Sequence, residues 1–218
     1  MDMVPQQRSG GRVLVADDHP LSREGLALAA RAALGGATTV GVGSVVEAQA
    51  ALETRLPYRM ILLDLFLPDA SGFSGLLTLQ MYARGTPIVL VTASEEPRLA
   101  GAARALGAAG YLYKSLALDQ IAQRLRRIDA GETSFPSTTP EASGVREARE
   151  RIAALSNAQR GVLMALADGR ANKQIAHDLA ISEATVKAHM TAVFRKLGVT
   201  NRAQALLAIQ PLIGGVVR

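Results

Sequence analysis

Val13-Leu14-Val15-Ala16-Asp17-Asp18, an apolar run closed by two carboxylates, decides the fold, because the same pattern recurs three times downstream. Met60-Ile61-Leu62-Leu63 ends in Asp64, Ile88-Val89-Leu90-Val91 ends in Thr92, and Tyr111-Leu112-Tyr113 ends in Lys114. Near-continuous apolar character is expected of parallel strands buried on both faces, and the intervening stretches carry helical spacing. An α/β fold with a doubly wound parallel sheet follows. In such open sheets ligands bind beyond the carboxyl ends of the strands. Asp17, Asp18, Asp64, Thr92 and Lys114 are therefore expected in one pocket.

Clustered carboxylates repel one another unless a cation lies between them, and hard oxygen ligands suit Mg²⁺. Asp17, Asp18 and Asp64 thus read as a Mg²⁺ site. A carboxylate can also attack phosphorus while a metal, a lysine and a hydroxyl neutralise the phosphoryl oxygens. Asp64 is then the acceptor, Lys114 the counter-charge and Thr92 the sensor. The competing explanation for each residue alone is a turn former, a helix cap or a solvated lysine. The joint placement at strand ends favours the pocket. His19 reads as a surface or capping residue ahead of a helix opened by Pro20.

At these residues the chain closely resembles the receiver domain of bacterial two-component response regulators. The match runs through Val15-Ala-Asp-Asp-His-Pro-Leu-Ser-Arg-Glu-Gly-Leu26, Leu63-Asp-Leu-Phe-Leu-Pro-Asp-Ala-Ser-Gly72, Val91-Thr-Ala93 and Gly110-Tyr-Leu-Tyr-Lys114. The resemblance implies a flavodoxin-like, five-stranded domain over residues 12–129, phosphorylated on Asp64 by a histidine kinase. It also implies Mg²⁺ held by Asp17, Asp18, Asp64 and the Phe66 backbone carbonyl, with Tyr111 as the aromatic that changes rotamer when the Thr92 hydroxyl moves. Ser115 departs from the proline that many relatives carry after the lysine. The bulky Phe66 is expected to shield the phosphate from water and slow its loss.

Length and composition accommodate two domains. No cysteine is present among the 218 residues, so disulfides are excluded. With no long apolar run and no signal-like segment, a cytoplasmic protein is expected. Residues 1–11 read as a disordered leader. The formal charge of +5 is confined to residues 155–218, which hold eight Lys and Arg against Asp168, Asp178 and Glu183. Such asymmetry fits a nucleic-acid module as well as a merely solvated basic face.

Spacing sharpens that reading. Ser156 can cap a helix carrying Val162, Leu163 and Leu166 and ended by Gly169, and Asn172 can cap a second helix bearing Ile175, Ala176 and Leu179. A turn at Ala180-Ile181 leads to Ser182, cap of a third helix from about Glu183 to Leu197. That is the helix-turn-helix plan, an all-α domain whose longer helix enters the major groove.

From Leu155 to about Ile209 the chain is similar to the effector domain of the LuxR class. Asn172-Lys-Gln-Ile-Ala176, Ile181-Ser-Glu-Ala-Thr-Val-Lys-Ala-His189 and Lys196-Leu-Gly-Val-Thr-Asn-Arg-Ala203 carry the likeness. With the receiver, it identifies the NarL/FixJ type of response regulator. The resemblance implies base contacts by Lys187, Ala188 and Thr191. Asn172, Lys173, Thr185, Arg195 and Lys196 are assigned to phosphates, which position without specifying sequence. Ala205, Leu206 and Ile209 form an apolar stripe that either pairs with its copy in a DNA-bound homodimer, on inverted half-sites, or packs in the core. Gln159 and Gly161 replace two acids usual in the family, and a helical Gly costs about 0.5–1 kcal/mol relative to Ala. Residues 130–154 read as a linker and connecting helix, and 155–218 as the DNA-binding domain.

The function expected is that of a DNA-binding transcription regulator, not an enzyme beyond accepting and slowly hydrolysing its own aspartyl phosphate. In the related proteins the unphosphorylated receiver hides the recognition helix, and the same is a hypothesis for this chain. An aspartate-nucleophile phosphohydrolase shares the carboxylates but places its second Asp two residues after the nucleophile. A regulator with a phosphate-independent receiver, serving as a dimerisation or ligand module, is the other alternative.

Overall fold

The structure, a computed structural model, describes residues 10–54, 56–137 and 145–213. Most of the expected leader and part of the expected linker, residues 138–144, therefore lie outside the described residues. The first part alternates β1 (Arg12–Ala16), α1 (Pro20–Ala33), β2 (Thr38–Val42), α2 (Val45–Glu53), β3 (Met60–Asp64), α3 (Ser74–Tyr82), β4 (Ile88–Thr92), α4 (Pro97–Ala105), β5 (Gly110–Tyr113) and α5 (Leu118–Asp129). All five strands are parallel, in the order β2-β1-β3-β4-β5, the doubly wound sheet read from the apolar runs.

Alternation along each strand divides the core in two. Val13, Val15, Leu62, Val89 and Leu112 meet Leu26 and Ala29 of α1 and Ile121 and Leu125 of α5. Leu14, Ile61, Leu63, Leu90 and Tyr111 face the other way, towards Leu76 and Leu79 of α3 and Ala100 and Ala103 of α4. Burying each large aliphatic side chain contributes about 1.5–3 kcal/mol, so both layers hold the strand ends in place. Register then sets the pocket. Ala16 pairs with Leu63 and Thr92 with Tyr113, which brings the residues following β1 beside Asp64 and Lys114 beside Thr92.

The second part is helical: α6 (Val145–Ala153), α7 (Asn157–Ala167), α8 (Asn172–Asp178), α9 (Glu183–Leu197) and α10 (Arg202–Ile213). Ser156 and Ser182 cap α7 and α9 as expected, their hydroxyls accepting from the amides of Gln159 and Thr185. The expected cap of α8 is corrected. Asn172 is its first helical residue and Ala171 the cap, with Gln174 Oε1 accepting from the Ala171 amide at 2.8 Å. The long Gln side chain can fold back over one turn, a solution that a search for short capping side chains overlooks. Val162, Ile175, Ala176 and Val186 form a small core inside this unit.

Two contacts reshape the expected boundaries. Ser134, placed in the linker by composition, is buried and pairs with β5, donating to Ala109 O and accepting from the Tyr111 amide at 2.8 Å. The first part thus extends past Asp129. The second part then docks on the first, with α7 along α3 and α6 against α4. Arg149 Nη1 donates to Ala105 O at 2.7 Å. Asp168 Oδ1, at the end of α7, accepts from the Ser71 amide and from Ser74 Oγ at 2.7 Å.

Candidate functional site

Asp17 and Asp18 follow β1 and Asp64 ends β3, at the point where the strand order reverses and where open α/β sheets bind ligands. The five residues read from strand ends are brought together here. Asp17 is fully buried and Asp64 nearly so. Lys114 Nζ bridges them, donating at 2.8 Å to Asp17 Oδ2 and at 2.7 Å to Asp64 Oδ2. Burial pulls the Lys114 ammonium downward, but its hydrogen bonds to the two carboxylates outweigh that and raise its pKa above the ordinary value. The start of α1 holds Asp17 as well: Oδ1 accepts from the His19 amide at 2.9 Å, and Oδ2 from Ser22 Oγ at 2.5 Å. The Phe66 amide donates to Asp64 Oδ1, placing the Phe66 backbone beside that carboxylate.

Asp17, Asp18, His19 and Asp64 each offer a ligand atom within 4.8 Å of the others. Asp18 Oδ1 is buried and accepts no hydrogen bond from any described residue, although His19 Nδ1 stands 2.8 Å away. A buried, unsatisfied carboxylate oxygen is costly, and a hard cation would relieve it. The oxygen-rich donor set fits Mg²⁺. His19 is exposed, as expected, and serves as the backbone cap of α1, and its ring lies against its sequence neighbour Asp18.

The hydroxyl and the aromatic residue lie at the adjoining strand ends. Thr92 is fully buried, and its Oγ1 accepts from the Ser94 amide. Tyr111 is also fully buried, and its hydroxyl donates to Ser94 O at 3.2 Å, so Thr92 and Tyr111 share the first residues of the β4–α4 loop. Burial, chiefly, raises the Tyr111 pKa. Ser115, the departure from proline, donates to Glu95 Oε1 at 2.7 Å and joins the β4–α4 and β5–α5 loops. Sequence reasoning had no signal for that pairing.

On α9, Lys187, Ala188 and Thr191 are exposed while the second part is docked, so the first part does not bury the side chains expected to contact bases. Thr191 Oγ1 donates to Lys187 O, one turn back. Lys173 and Arg195 are exposed and Asn172 is half-buried. Two of the residues expected at phosphates have partners within the chain. Lys196 Nζ donates to Ala154 O and Gln159 Oε1, both at 2.9 Å, because the last turn of α9 packs on the α6–α7 junction. The Thr185 hydroxyl is engaged with Ser182 Oγ at 2.8 Å. Of the two alternatives for the apolar stripe, core packing holds for Ala205 and Ile209, while Leu206 is half-buried. Ala205 and Ile209 are 0% and 1% exposed, packed into the core that α6, α7 and α9 share, while Leu207 of α10 is 63% exposed.

Residues 13–126 match the family described as response regulator receiver domain, and residues 153–209 match bacterial regulatory proteins, luxR family. The chain is 34% identical to the glycerol metabolism activator of Pseudomonas putida, over 90% of this chain and 94% of that protein. It is 35% identical to the probable transcriptional regulatory protein NarL of Mycobacterium tuberculosis, over 89% of this chain and 91% of that protein. Its fold is like that of the Salmonella typhimurium response regulator RcsB, with a TM-score of 0.52 at 22% identity, over 93% of this chain and 99% of that one. Among the described residues no helix is long and apolar enough to cross a membrane.

Proposed function

The chain belongs to the response regulators that join a receiver domain to a luxR-family DNA-binding domain, and on that premise we propose that phosphoryl transfer to Asp64 controls its action on promoters. The observation that carries this is the buried Asp64 carboxylate, paired with Lys114 at 2.7 Å and crowded by two further acids. A phosphohistidine on a partner histidine kinase is the donor. An Asp64 carboxylate oxygen forms the new O–P bond as the P–N bond breaks, and the departing imidazole keeps that electron pair. Lys114 neutralises a phosphoryl oxygen, and Thr92 donates its hydroxyl to another. Mg²⁺ held by Asp17, Asp18, Asp64 and the Phe66 carbonyl would supply further neutralisation of the developing charge.

The product carries about −1.5 to −2 charges, which shifts the bistable loop that Thr92 and Tyr111 share. That loop leads into α4, against which α6 packs, so the route from Asp64 to the second domain is short. The DNA-bound form is a homodimer on inverted half-sites, with Lys187, Ala188 and Thr191 at base edges and Asn172, Lys173 and Arg195 on phosphates. A cytoplasmic location accords with that role.

Incubation of the full chain with acetyl phosphate and Mg²⁺, followed by intact mass and solution sizing, tests the reading. A single phosphate adduct, absent from Asp64→Ala and accompanied by dimer formation, is the expected result. No adduct, under conditions that label a reference receiver, would assign this receiver a phosphate-independent role.

A further inference from the structure

We propose that Ser22 is a positioning residue for the metal centre, holding Asp17 in place when Lys114 leaves it; the inference rests on the receiver reading above. Ser22 stands in the first turn of α1, and its hydroxyl donates to Asp17 Oδ2 at 2.5 Å. The same oxygen accepts from Lys114 Nζ at 2.8 Å, while Oδ1 is held by the His19 amide. Asp17 thus has three hydrogen-bond donors, whereas the buried Asp18 Oδ1 accepts no hydrogen bond among the described residues and has only the exposed His19 ring near it, Nδ1 at 2.8 Å. The two adjacent carboxylates are prepared differently: Asp17 is fixed by buried hydrogen bonds, and Asp18 is held only by the exposed His19 ring.

The asymmetry bears on what a dication meets on arrival. A dication held by Asp17, Asp18 and Asp64 would compete with the Lys114 ammonium for both carboxylates that it bridges. Once Lys114 withdraws, Ser22 is the side-chain donor that remains on Asp17 Oδ2. A neutral hydroxyl is suited to that place, because it fixes the carboxylate without competing for charge. Arg23, the next residue, holds the Asp17 main chain in the same way, Nη1 donating to Asp17 O at 2.7 Å. Its stem lies over Gly41 of β2, where an added Cβ would come within 2.9 Å of Arg23 Cδ. The Asp17 main chain and carboxylate are therefore both fixed by α1, from consecutive residues.

Groups that orient a metal ligand without touching the metal typically contribute 10–100-fold in affinity. The test is direct binding of Mn²⁺, the probe standing in for Mg²⁺, to the full chain, followed by the paramagnetic resonance of the free ion. Ser22→Ala is expected to weaken binding about 10-fold while keeping a single cooperative thermal transition well above the assay temperature. Ser22→Thr, which keeps the hydroxyl, is expected to restore most of it. Equal affinities of wild type and Ser22→Ala, or a Ser22→Thr variant as weak as Ser22→Ala, would overturn the proposal. Acetyl phosphate labelling of the same samples at saturating Mg²⁺ separates the two readings. An unlabelled wild type sinks the phosphoacceptor assignment, a labelled one with equal Mn²⁺ affinities sinks the role of Ser22 alone, and a wild type that binds no Mn²⁺ sinks both.

Discussion

The acidic corner and the recognition helix solve opposite problems. At the corner, residues from β1, β3, β4 and β5 converge on one buried place, and hydrogen bonds and ion pairs fix each against its neighbours. On α9, Lys187, Ala188 and Thr191 come from one helical stretch and remain exposed. Charge chemistry needs exclusion of water and fixed distances, which several elements must build together. Groove recognition needs reach and solvent exposure, which one helix supplies. The docked second domain keeps that difference intact, because its contact with α3 and α4 uses α7 and α6 and leaves the reading face open.

The comparison breaks most completely at Asp64. Asp64→Ala is expected to abolish phosphate labelling while leaving the DNA affinity of the unphosphorylated chain unchanged, as measured by fluorescence anisotropy. Reduced affinity in that variant would mean that the two regions are not separate in the resting state. On the exposed side, Lys187→Ala is expected to lose about 1–3 kcal/mol of discrimination between operator and random DNA. Arg195→Ala should instead weaken both alike and lower the slope of log affinity against log salt by about 0.9. An unchanged slope would remove Arg195 from the phosphate contacts.

The contact joining the regions is next in size. Asp168→Ala deletes two hydrogen bonds to α3 and its entry, each contributing about 0.5–1.5 kcal/mol, so small-angle scattering should show a larger radius of gyration. Burial, above all, raises the Asp168 pKa despite the hydrogen bonds from Ser74 and Ser71. A carboxyl whose pKa is raised on docking binds protons more readily docked than free. Docking is therefore strongest below the range of an exposed Asp and weakens as pH rises through the raised value. Scattering across that range should show the wild type expanding with pH and Asp168→Asn indifferent to it; a wild type that expands as pH falls would contradict the assignment.

The smallest effect belongs to α7. A Cβ added at Gly161 would meet Leu179 Cδ2 at 3.7 Å, an ordinary contact, and Gly161 lies inside the helix. Gly161→Ala should stabilise the second domain by about 0.5–1 kcal/mol in thermal unfolding. Destabilisation would show that the helix needs that glycine for a closer approach than Leu179 makes.

The strands, their order of function and the five residues at their ends were legible because burial on both faces writes itself as contiguous apolar runs. The capping serines of α7 and α9 were legible because the capping bond is local. Asn172 was misread because the helix starts one residue earlier than a capping Asn requires: Ala171 is the cap, and Gln174 reaches back to the Ala171 amide. Ala205 and Ile209 show a deeper limit. An apolar stripe reports that a face is covered, yet it carries no sign of whether the cover is the same chain or another copy. Lys196 is similar: its charge and position suit a phosphate, but its ammonium is held by Ala154 and Gln159.

By itself the sequence determined the alternation of strand and helix, the gathering of acids, hydroxyl and lysine at one sheet edge, and the helix-turn-helix. Each of these follows from periodicity, from caps, or from the rule that sites form beyond strand ends. Only the tertiary structure decided that Ser22 and Lys114 share Asp17 Oδ2, that Ser134 belongs with β5, that Asp168 joins α7 to α3, and that α9 stays open. Those outcomes depend on the relative placement of whole elements, where a few hydrogen bonds and a continuous apolar contact choose among surfaces that look alike in sequence.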